Sequence, residues 1–238
     1  MSNDNVDVSI IIPVYNEEAI LQAAVVELRE QMADLGWSHE IILAENGSTD
    51  HTVLRIAQLV HRYPDLRTFS SSEPNYGKAL RRGILEARGK YVICEEIDLC
   101  DTEFHQAAIH LLRNDDADFV VGSKLLAGSE DERPWLRNVA SRLYNGMLRT
   151  ALDFKGTDTH GLKAFNREKT LSVVNSCIID KDVFASELVI RAHRSGLRVR
   201  EVPVRVMEKR APSINLVRRV PTVIRQVGQL AWAIRGKG

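Results

Sequence analysis

Carboxylates gather in this sequence where a parallel sheet would bring them together. Pro13-Val14-Tyr15-Asn16-Glu17-Glu18 follows one apolar strand, Glu45-Asn46-Gly47-Ser48-Thr49-Asp50 follows a second, and Glu95-Glu96-Ile97-Asp98-Leu99-Cys100-Asp101 follows a later one. Acids crowded into one cleft repel each other unless something positive lies between them. A divalent cation relieves that repulsion, and Mg²⁺ or Mn²⁺ suits oxygen ligands beside a diphosphate. The competing reading gives Asp50 and Asp101 to helix starts, where capping acids belong. Capping accounts poorly for Glu96 with Asp98, which come directly after a buried strand.

Two familiar nucleotide-binding devices are missing. No G-x-G-x-x-G follows the first strand, which argues against a dinucleotide oxidoreductase. Asn75-Tyr76-Gly77-Lys78-Ala79 holds a Gly-Lys pair but lacks the upstream glycine and the following Ser or Thr of a phosphate-binding loop.

The elements that must position these groups are legible from periodicity. Residues 8–14 form a β-branched run and residues 40–44 a second one, both reading as buried strands. Between them Leu21, Val25, Leu28, Met32 and Leu35 carry the stripe of an amphipathic helix ending at Gly36. Ser48, Thr49 and Asp50 offer N-caps to a helix with Val53, Ile56, Ala57 and Val60. The alternation continues with strands at 66–70, 91–94 and 119–122 and helices at 76–87 and 104–112. It implies parallel pairing through right-handed crossovers, hence a three-layer α/β/α domain with a Rossmann-like, mostly parallel sheet. Beyond Gly128 the spacing predicts helices over 134–152 and 181–195, a loop at 157–165 running into a short extended segment, and extended chain over 197–207. Ligands of such sheets bind beyond the carboxyl ends of the strands, so the three acidic loops should share one cleft.

The ordered motifs, from Ile11-Ile12-Pro13-Val14-Tyr15-Asn16-Glu17-Glu18 and Glu45-Asn46-Gly47-Ser48-Thr49-Asp50 through Asn75-Tyr76-Gly77-Lys78-Ala79 and Glu96-Ile97-Asp98-Leu99, resemble family 2 glycosyltransferases. Val121-Gly122-Ser123-Lys124, Asp158-Thr159-His160-Gly161-Leu162-Lys163 and Glu201-Val202-Pro203-Val204 extend the match through about residue 213. The resemblance is strongest to the polyprenyl- or dolichyl-phosphate mannose synthase group. It implies a GT-A fold and an inverting sugar transfer from a nucleotide-sugar donor, GDP-mannose first and UDP-sugars as alternatives. By the same resemblance Pro13, Tyr15, Asn16, Glu17, Glu45, Asn46, Gly47 and Ser48 line the nucleoside, and Lys78 lies near the diphosphate. The family's Asp-x-Asp stands here as Glu96-Ile97-Asp98, implying Mg²⁺ or Mn²⁺ on Glu96 and Asp98 with Asp101 assisting. The departures are Glu45 for Asp, Glu96 for Asp, Cys100 for Gln, Lys124 for Arg, and a glycine loop one residue short.

A lipid-phosphate acceptor is already an anion and needs cations, and for these the resemblance favours Lys124, Arg133 and Arg137. Helix-start solvation is the competing account of the two arginines, and a solvated lysine that of Lys78. A hydroxyl acceptor would need a base, and Asp158 or His160 lies in the right segment. A third reading is a nucleotide-sugar-binding protein whose altered metal motif marks lost catalysis.

The 238 residues carry balanced charge, so nothing points to nucleic acid. Cys94, Cys100 and Cys177 fit no metal-ligand spacing and suggest reduced thiols in a cytoplasmic protein. No apolar run approaches the ~18 residues of a membrane span. The balance hides an asymmetry: beyond Glu208 there is no acid, but Lys209, Arg210, Arg218, Arg219, Arg225, Arg235 and Lys237. Leu216, Val220, Val223, Val227, Leu230 and Ile234 add an amphipathic stripe, expected to break or restart at Pro221. The chain thus divides into a catalytic domain at 1–212 and a basic helical tail at 213–238. The tail fits an anionic membrane surface, packing against the domain, or a second subunit of a homo-oligomer.

Overall fold

The computed structural model describes residues 6–131, 135–181, 183–206 and 216–235. The chain opens with β1 (Val8–Val14), α1 (Leu21–Leu35), β2 (His39–Glu45), α2 (Thr52–Arg62), β3 (Leu66–Phe69), α3 (Tyr76–Glu86), β4 (Tyr91–Cys94), α4 (Thr102–Arg113) and β5 (Phe119–Ser123). It continues with β6 (Glu130–Asp131), α5 (Trp135–Leu152), β7 (Lys163–Asn166), α6 (Arg167–Ser176), α7 (Phe184–Arg194), β8 (Val199–Pro203), β9 (Arg205–Val206) and α8 (Leu216–Arg235). The main sheet has the order β3-β2-β1-β4-β7-β5-β8, and β6 pairs with β9 in a small second sheet.

Side chains of β1 alternate between two cores, as a strand buried on both faces requires. Ile10, Ile12 and Val14 meet α1, α2 and α4, through residues such as Leu28, Ile56 and Phe104. Ile11 meets the opposite layer, built from α3, α5, α6, α7 and α8. This is the expected three-layer α/β/α architecture, with β1 and β4 side by side in the middle of the sheet. The C-terminal half completes the same sheet.

The sheet is mostly parallel, as expected, with β7 alone running antiparallel between β4 and β5. Its short segment follows the 153–162 loop without a crossover helix, so the chain re-enters the sheet from the edge it left. Two other readings of the sequence need correction. The α6 helix was not anticipated, because only Thr170, Val173 and Val174 of its residues are buried. Finally, α8 runs unbroken through Pro221. The proline removes one hydrogen bond in the second turn, and burial of Val227, Leu230 and Ile234 in the core holds the helix beyond it. The expected boundary at 212/213 lies outside the described residues.

The reversal of strand order falls between β1 and β4. Ile11 still accepts a hydrogen bond from Glu95 N–H, but β4 pairs β1 only as far as Ile11. Pro13 faces the same side two residues later, past the end of that ladder, so its missing N–H costs no sheet bond. The sheet therefore splits open at the carboxyl ends of β1 and β4, where open α/β sheets bind ligands.

Candidate functional site

One wall of this opening is made by the loops after β1 and β2, laced together by side chains. Asn16 takes a left-handed φ of 53°, a conformation asparagine tolerates better than most residues. Its N–H donates to Ser48 Oγ at 3.0 Å and its Oδ1 accepts from Thr49 N–H at 2.8 Å. Glu17 N–H donates to Thr52 Oγ1 at 2.8 Å, and Glu18 Oε2 accepts from His51 N–H at 2.8 Å. Glu45 is buried, with Oε1 accepting from Ser48 N–H at 2.6 Å. Gly47 has φ +72°, and a Cβ there would lie 2.8 Å from the Glu73 carbonyl carbon. Asn46 Oδ1 accepts from Asn75 N–H, and Asn75 in turn caps α3 through Lys78 N–H. These residues form one braced wall, with Tyr15 exposed at its rim.

Hydroxyls expected to cap α2 serve this lacing instead. Asp50 does serve the helix start, its Oδ1 accepting from Thr52 N–H at 3.0 Å. Lys78 Nζ lies in an exposed ion pair with Glu73, 2.9 Å away.

The acidic run after β4 separates into distinct tasks. Glu95 turns inward and is 1% exposed. Glu96 opens onto the cleft, and Leu99 N–H donates to its carbonyl at 3.0 Å, closing a tight turn. Ile97 pins that turn into the core, leaving Asp98 half-buried beside Glu96. Desolvation pushes the Glu96 carboxyl above its ordinary pKa; Lys124 opposes this, Asp98 adds to it, Lys163 opposes and Glu95 adds. Cys100 follows at a left-handed φ of 44°.

Asp101 is not brought to Glu96 and Asp98. Its Oδ1 caps α4 by accepting from Phe104 N–H at 3.0 Å, and its Oδ2 accepts from Arg205 N–H at 3.4 Å. The expectation that it assists a metal is therefore corrected in favour of capping. Among the described residues no group of three or more His, Cys, Asp or Glu side chains is placed to hold a metal ion.

Across the opening stand the end of β5 and the start of β7. Lys124 Nζ lies 3.6 Å from Asp158 Oδ2, with the lysine side chain 13% and the aspartate 1% exposed. Burial would raise the Asp158 pKa, but Lys124, the His160 N–H, the His160 ring and Lys163 together hold it below the usual carboxylate range. Lys163, at the head of β7 opposite Cys94, is buried and donates to Gly161 O at 2.6 Å. Desolvation lowers its pKa, while Cys94, Glu96 and Asp158 pull it back up and Lys124 lowers it further.

The loop carrying Asp158 is held from below. Glu201 on β8 accepts from Thr157 N–H at 2.6 Å and from Thr157 Oγ1 at 2.9 Å. Gly161 packs so tightly that a Cβ would sit 1.6 Å from Gly122 O. His160 is exposed, its N–H donating to Asp158 Oδ1 at 3.0 Å and its ring meeting Tyr144 edge-on at 4.8 Å.

The opening thus joins an acidic rim, Glu96 and Asp98, to a basic floor, Lys124 and Lys163, with Asp158 between the lysines. Lys163 and Glu201 occur in the sequence motifs, but nothing in their spacing marks them as one lysine of the floor and one brace of the loop. Arg133 and the side chain of Arg137 lie outside the described residues.

Comparison with known proteins bears on the family and the fold. The chain is 29% identical over 235 residues to the glycosyltransferase AglD of Haloferax volcanii, covering 96% of this chain and 38% of that protein. It is 31% identical over 220 residues to a dolichyl-phosphate beta-glucosyltransferase of Dictyostelium discoideum, covering 84% of this chain and 66% of that one. The chain therefore spans well under half of the first relative and about two thirds of the second. Among solved structures it resembles glucosyl-3-phosphoglycerate synthase from Mycobacterium tuberculosis in complex with Mn²⁺, UDP-glucose and phosphoglyceric acid. That match has a TM-score of 0.67 at 20% identity, covering 97% of this chain and 80% of that one. The description of glycosyl transferase family 2 fits residues 9–173, and the chain belongs to that family.

Proposed function

We propose that this chain transfers a sugar, with inversion, from a nucleotide-sugar donor to a polyprenyl or dolichyl phosphate. The observation that carries the reading is the pairing of rim and floor at one sheet edge: Glu96 and Asp98 on one side, Lys124 and Lys163 on the other. The relatives named dolichyl-phosphate beta-glucosyltransferases support glucose as the sugar, and our reading puts UDP-glucose, the nucleotide sugar in the mycobacterial neighbour, ahead of GDP-mannose.

The acidic rim fits a divalent cation. Glu96 and Asp98 lie side by side on the rim; desolvation, with Asp98 adding to it, raises the Glu96 pKa, and added positive charge beside the two carboxylates would offset both effects. Mg²⁺ or Mn²⁺ beside a nucleotide takes one or two carboxylates and completes its shell from phosphates. Glu96 and Asp98 would hold it, and when bound it offsets charge on the departing diphosphate. The braced wall from Asn16 to Ser48 receives the nucleoside, with Glu45 accepting from a ring N–H or a ribose hydroxyl. Lys78 would have to exchange its Glu73 partner for the diphosphate.

A phosphate acceptor needs no proton removed, and the floor suits it. Asp158, held ionised by its surroundings, is a weak base; its place beside Lys124 makes it the group that aims the ammonium. Lys124 then grips the acceptor phosphate as a point charge, without the fork an arginine would supply. Arg133 and Arg137 are carried as further acceptor contacts. A hydroxyl acceptor is the second reading, favoured by the exposure of His160 next to Asp158.

Contact with a membrane surface belongs to the same proposal. No described helix is long and apolar enough to cross a membrane. One face of α8 packs into the core, while Ile224 and Trp232 on the other are 56% and 75% exposed, with Arg225 and Arg235 also exposed. An apolar and basic outer face suits an interfacial helix on anionic lipid.

A matrix of donors and acceptors tests the reading: UDP-glucose and GDP-mannose, each with polyprenyl phosphate or an alkyl glycoside, in Mg²⁺ or Mn²⁺. Lipid-phosphate glucose supports it; transfer to the glycoside alone, lost in His160→Ala, supports the hydroxyl reading instead.

A further inference from the structure

Directly behind the acidic rim lies a buried carboxyl–imidazole pair that takes no part in the site as described. Glu95 and His105 both have fully buried side chains, and His105 Nε2 lies 2.5 Å from Glu95 Oε2. The other carboxylate oxygen, Oε1, accepts from Glu96 N–H at 3.0 Å. His105 Nδ1 is buried with no hydrogen-bond partner. The Phe104 ring meets His105 edge-on at 6.3 Å, and Phe104 and Ala108 of the same helix belong to the buried apolar core.

Such a pair is a poor way to gain stability. Taking two ionisable groups out of water costs several kcal/mol each, and well-packed apolar residues of the same volume are often as stable or more so. The unpartnered Nδ1 adds to the cost. What an apolar pair could not do is hold a backbone N–H. Glu95 Oε1 grips the amide of the residue that leads the Glu-x-Asp turn, and His105, carried on the rigid α4 helix, fixes the carboxylate that does the gripping. Asp101 caps the same helix, so both ends of the acidic turn are tied to α4.

We infer that Glu95 and His105 are positioning residues for the donor site: a buried carboxylate–imidazole pair that fixes the Glu96 amide from behind and so sets where the Glu96 and Asp98 carboxylates stand. The inference rests on the donor-site reading for its consequence, but its structural half does not. Outer partners of this kind commonly change metal affinity by 10–100-fold when lost.

The full chain is compared with His105→Gln, which keeps a side-chain N–H for Glu95, with His105→Phe, and with the apolar double variant Glu95→Met/His105→Phe. Circular dichroism and a thermal midpoint establish folding. Hydrogen exchange at the Glu96 amide reads the grip, and Mn²⁺ titration followed by electron paramagnetic resonance reads the site. The expected result is a folded double variant whose Glu96 amide exchanges at least ~10-fold faster and whose Mn²⁺ affinity falls ~10-fold or more. His105→Gln should stay within a few-fold of the parent in both, and His105→Phe should lie between. A folded double variant with parental amide protection overturns the inference, as does lost protection with parental Mn²⁺ affinity. A parent chain that binds neither Mn²⁺ nor UDP-glucose, yet loses Glu96 protection in the double variant, refutes the donor-site reading while the positioning of Glu96 stands.

Discussion

Glu201 lies on β8, well away from the acidic rim in sequence, yet the geometry ties it to the acceptor side. Its carboxylate accepts from Thr157 N–H at 2.6 Å and Thr157 Oγ1 at 2.9 Å, while Asp158 N–H at 3.4 Å is a weaker third contact. Hydrogen bonds to a charged group are worth about 1.5–3 kcal/mol each. Thr157 is only half-buried, so water replaces part of what Glu201→Ala removes, and a net loss of about 2–3 kcal/mol is expected. Most of that should appear as local freedom of residues 157–160, because β8 keeps its pairing with β5. Asp158 then no longer fixes Lys124, and a displacement on the order of 1 Å costs about 100-fold in a positioned reaction. Steady-state transfer from UDP-glucose, with donor and polyprenyl phosphate varied in turn, separates the effects. The acceptor KM should rise about tenfold or more with kcat reduced, while the donor KM stays near the parent value. Glu201→Gln, which retains one acceptor oxygen, should fall between. If Glu201→Ala loses stability but leaves both KM values and kcat unchanged, the loop does not position the acceptor site and the reasoning fails.

Two further predictions concern the scaffold. Asp118 accepts from Arg198 N–H, Nε and Nη2 and from Lys169 Nζ, and these hold its carboxyl far below the usual range, Arg198 most strongly. Its folded pKa lies below the unfolded value of 3.8, so its stabilisation is complete above about pH 4 and drains away as pH falls through the folded value. Urea midpoints from pH 7 down to pH 3 should show Asp118→Asn less stable by about 1–3 kcal/mol at neutrality, with the gap to the parent narrowing in acid; a gap independent of pH contradicts this. Gly161→Ala forces a Cβ to within 1.6 Å of Gly122 O and breaks the Gly122 N–H to Leu162 O bond of 2.8 Å. Backbone does not yield as a side chain would, so a loss of about 3 kcal/mol or more is expected, read as a shifted urea midpoint.

What the sequence revealed follows from how each feature is encoded. Elements β1 to α4 were legible because buried parallel strands are continuous apolar runs and their helices carry a sharp stripe, as at Leu21, Val25, Leu28 and Met32. The α6 helix escaped because its ten residues bury only three side chains. The direction of β7 was hidden for another reason: four residues, Lys163 to Asn166, say nothing about which way they enter a sheet. The acidic loops were located correctly, but residue type could not divide their labour. Only the fold shows that Glu95 faces His105, that Asp101 caps α4, and that Glu96 alone of the three opens onto the cleft beside Asp98. Lys163 and Glu201 act through partners distant in sequence, and no local spacing announces such a contact.

The central claim is that the rim and the floor at the carboxyl edge of the sheet together transfer sugar to a lipid phosphate. The most direct test gives the parent chain, Asp98→Ala and Lys124→Met radiolabelled UDP-glucose, polyprenyl phosphate and Mn²⁺, and measures label extracted into organic solvent. The account predicts lipid-borne label from the parent, its near-complete loss in Asp98→Ala, and in Lys124→Met a loss that saturating acceptor partly restores. Label that never enters the lipid phase with any nucleotide sugar, or that enters equally in all three proteins, would contradict it.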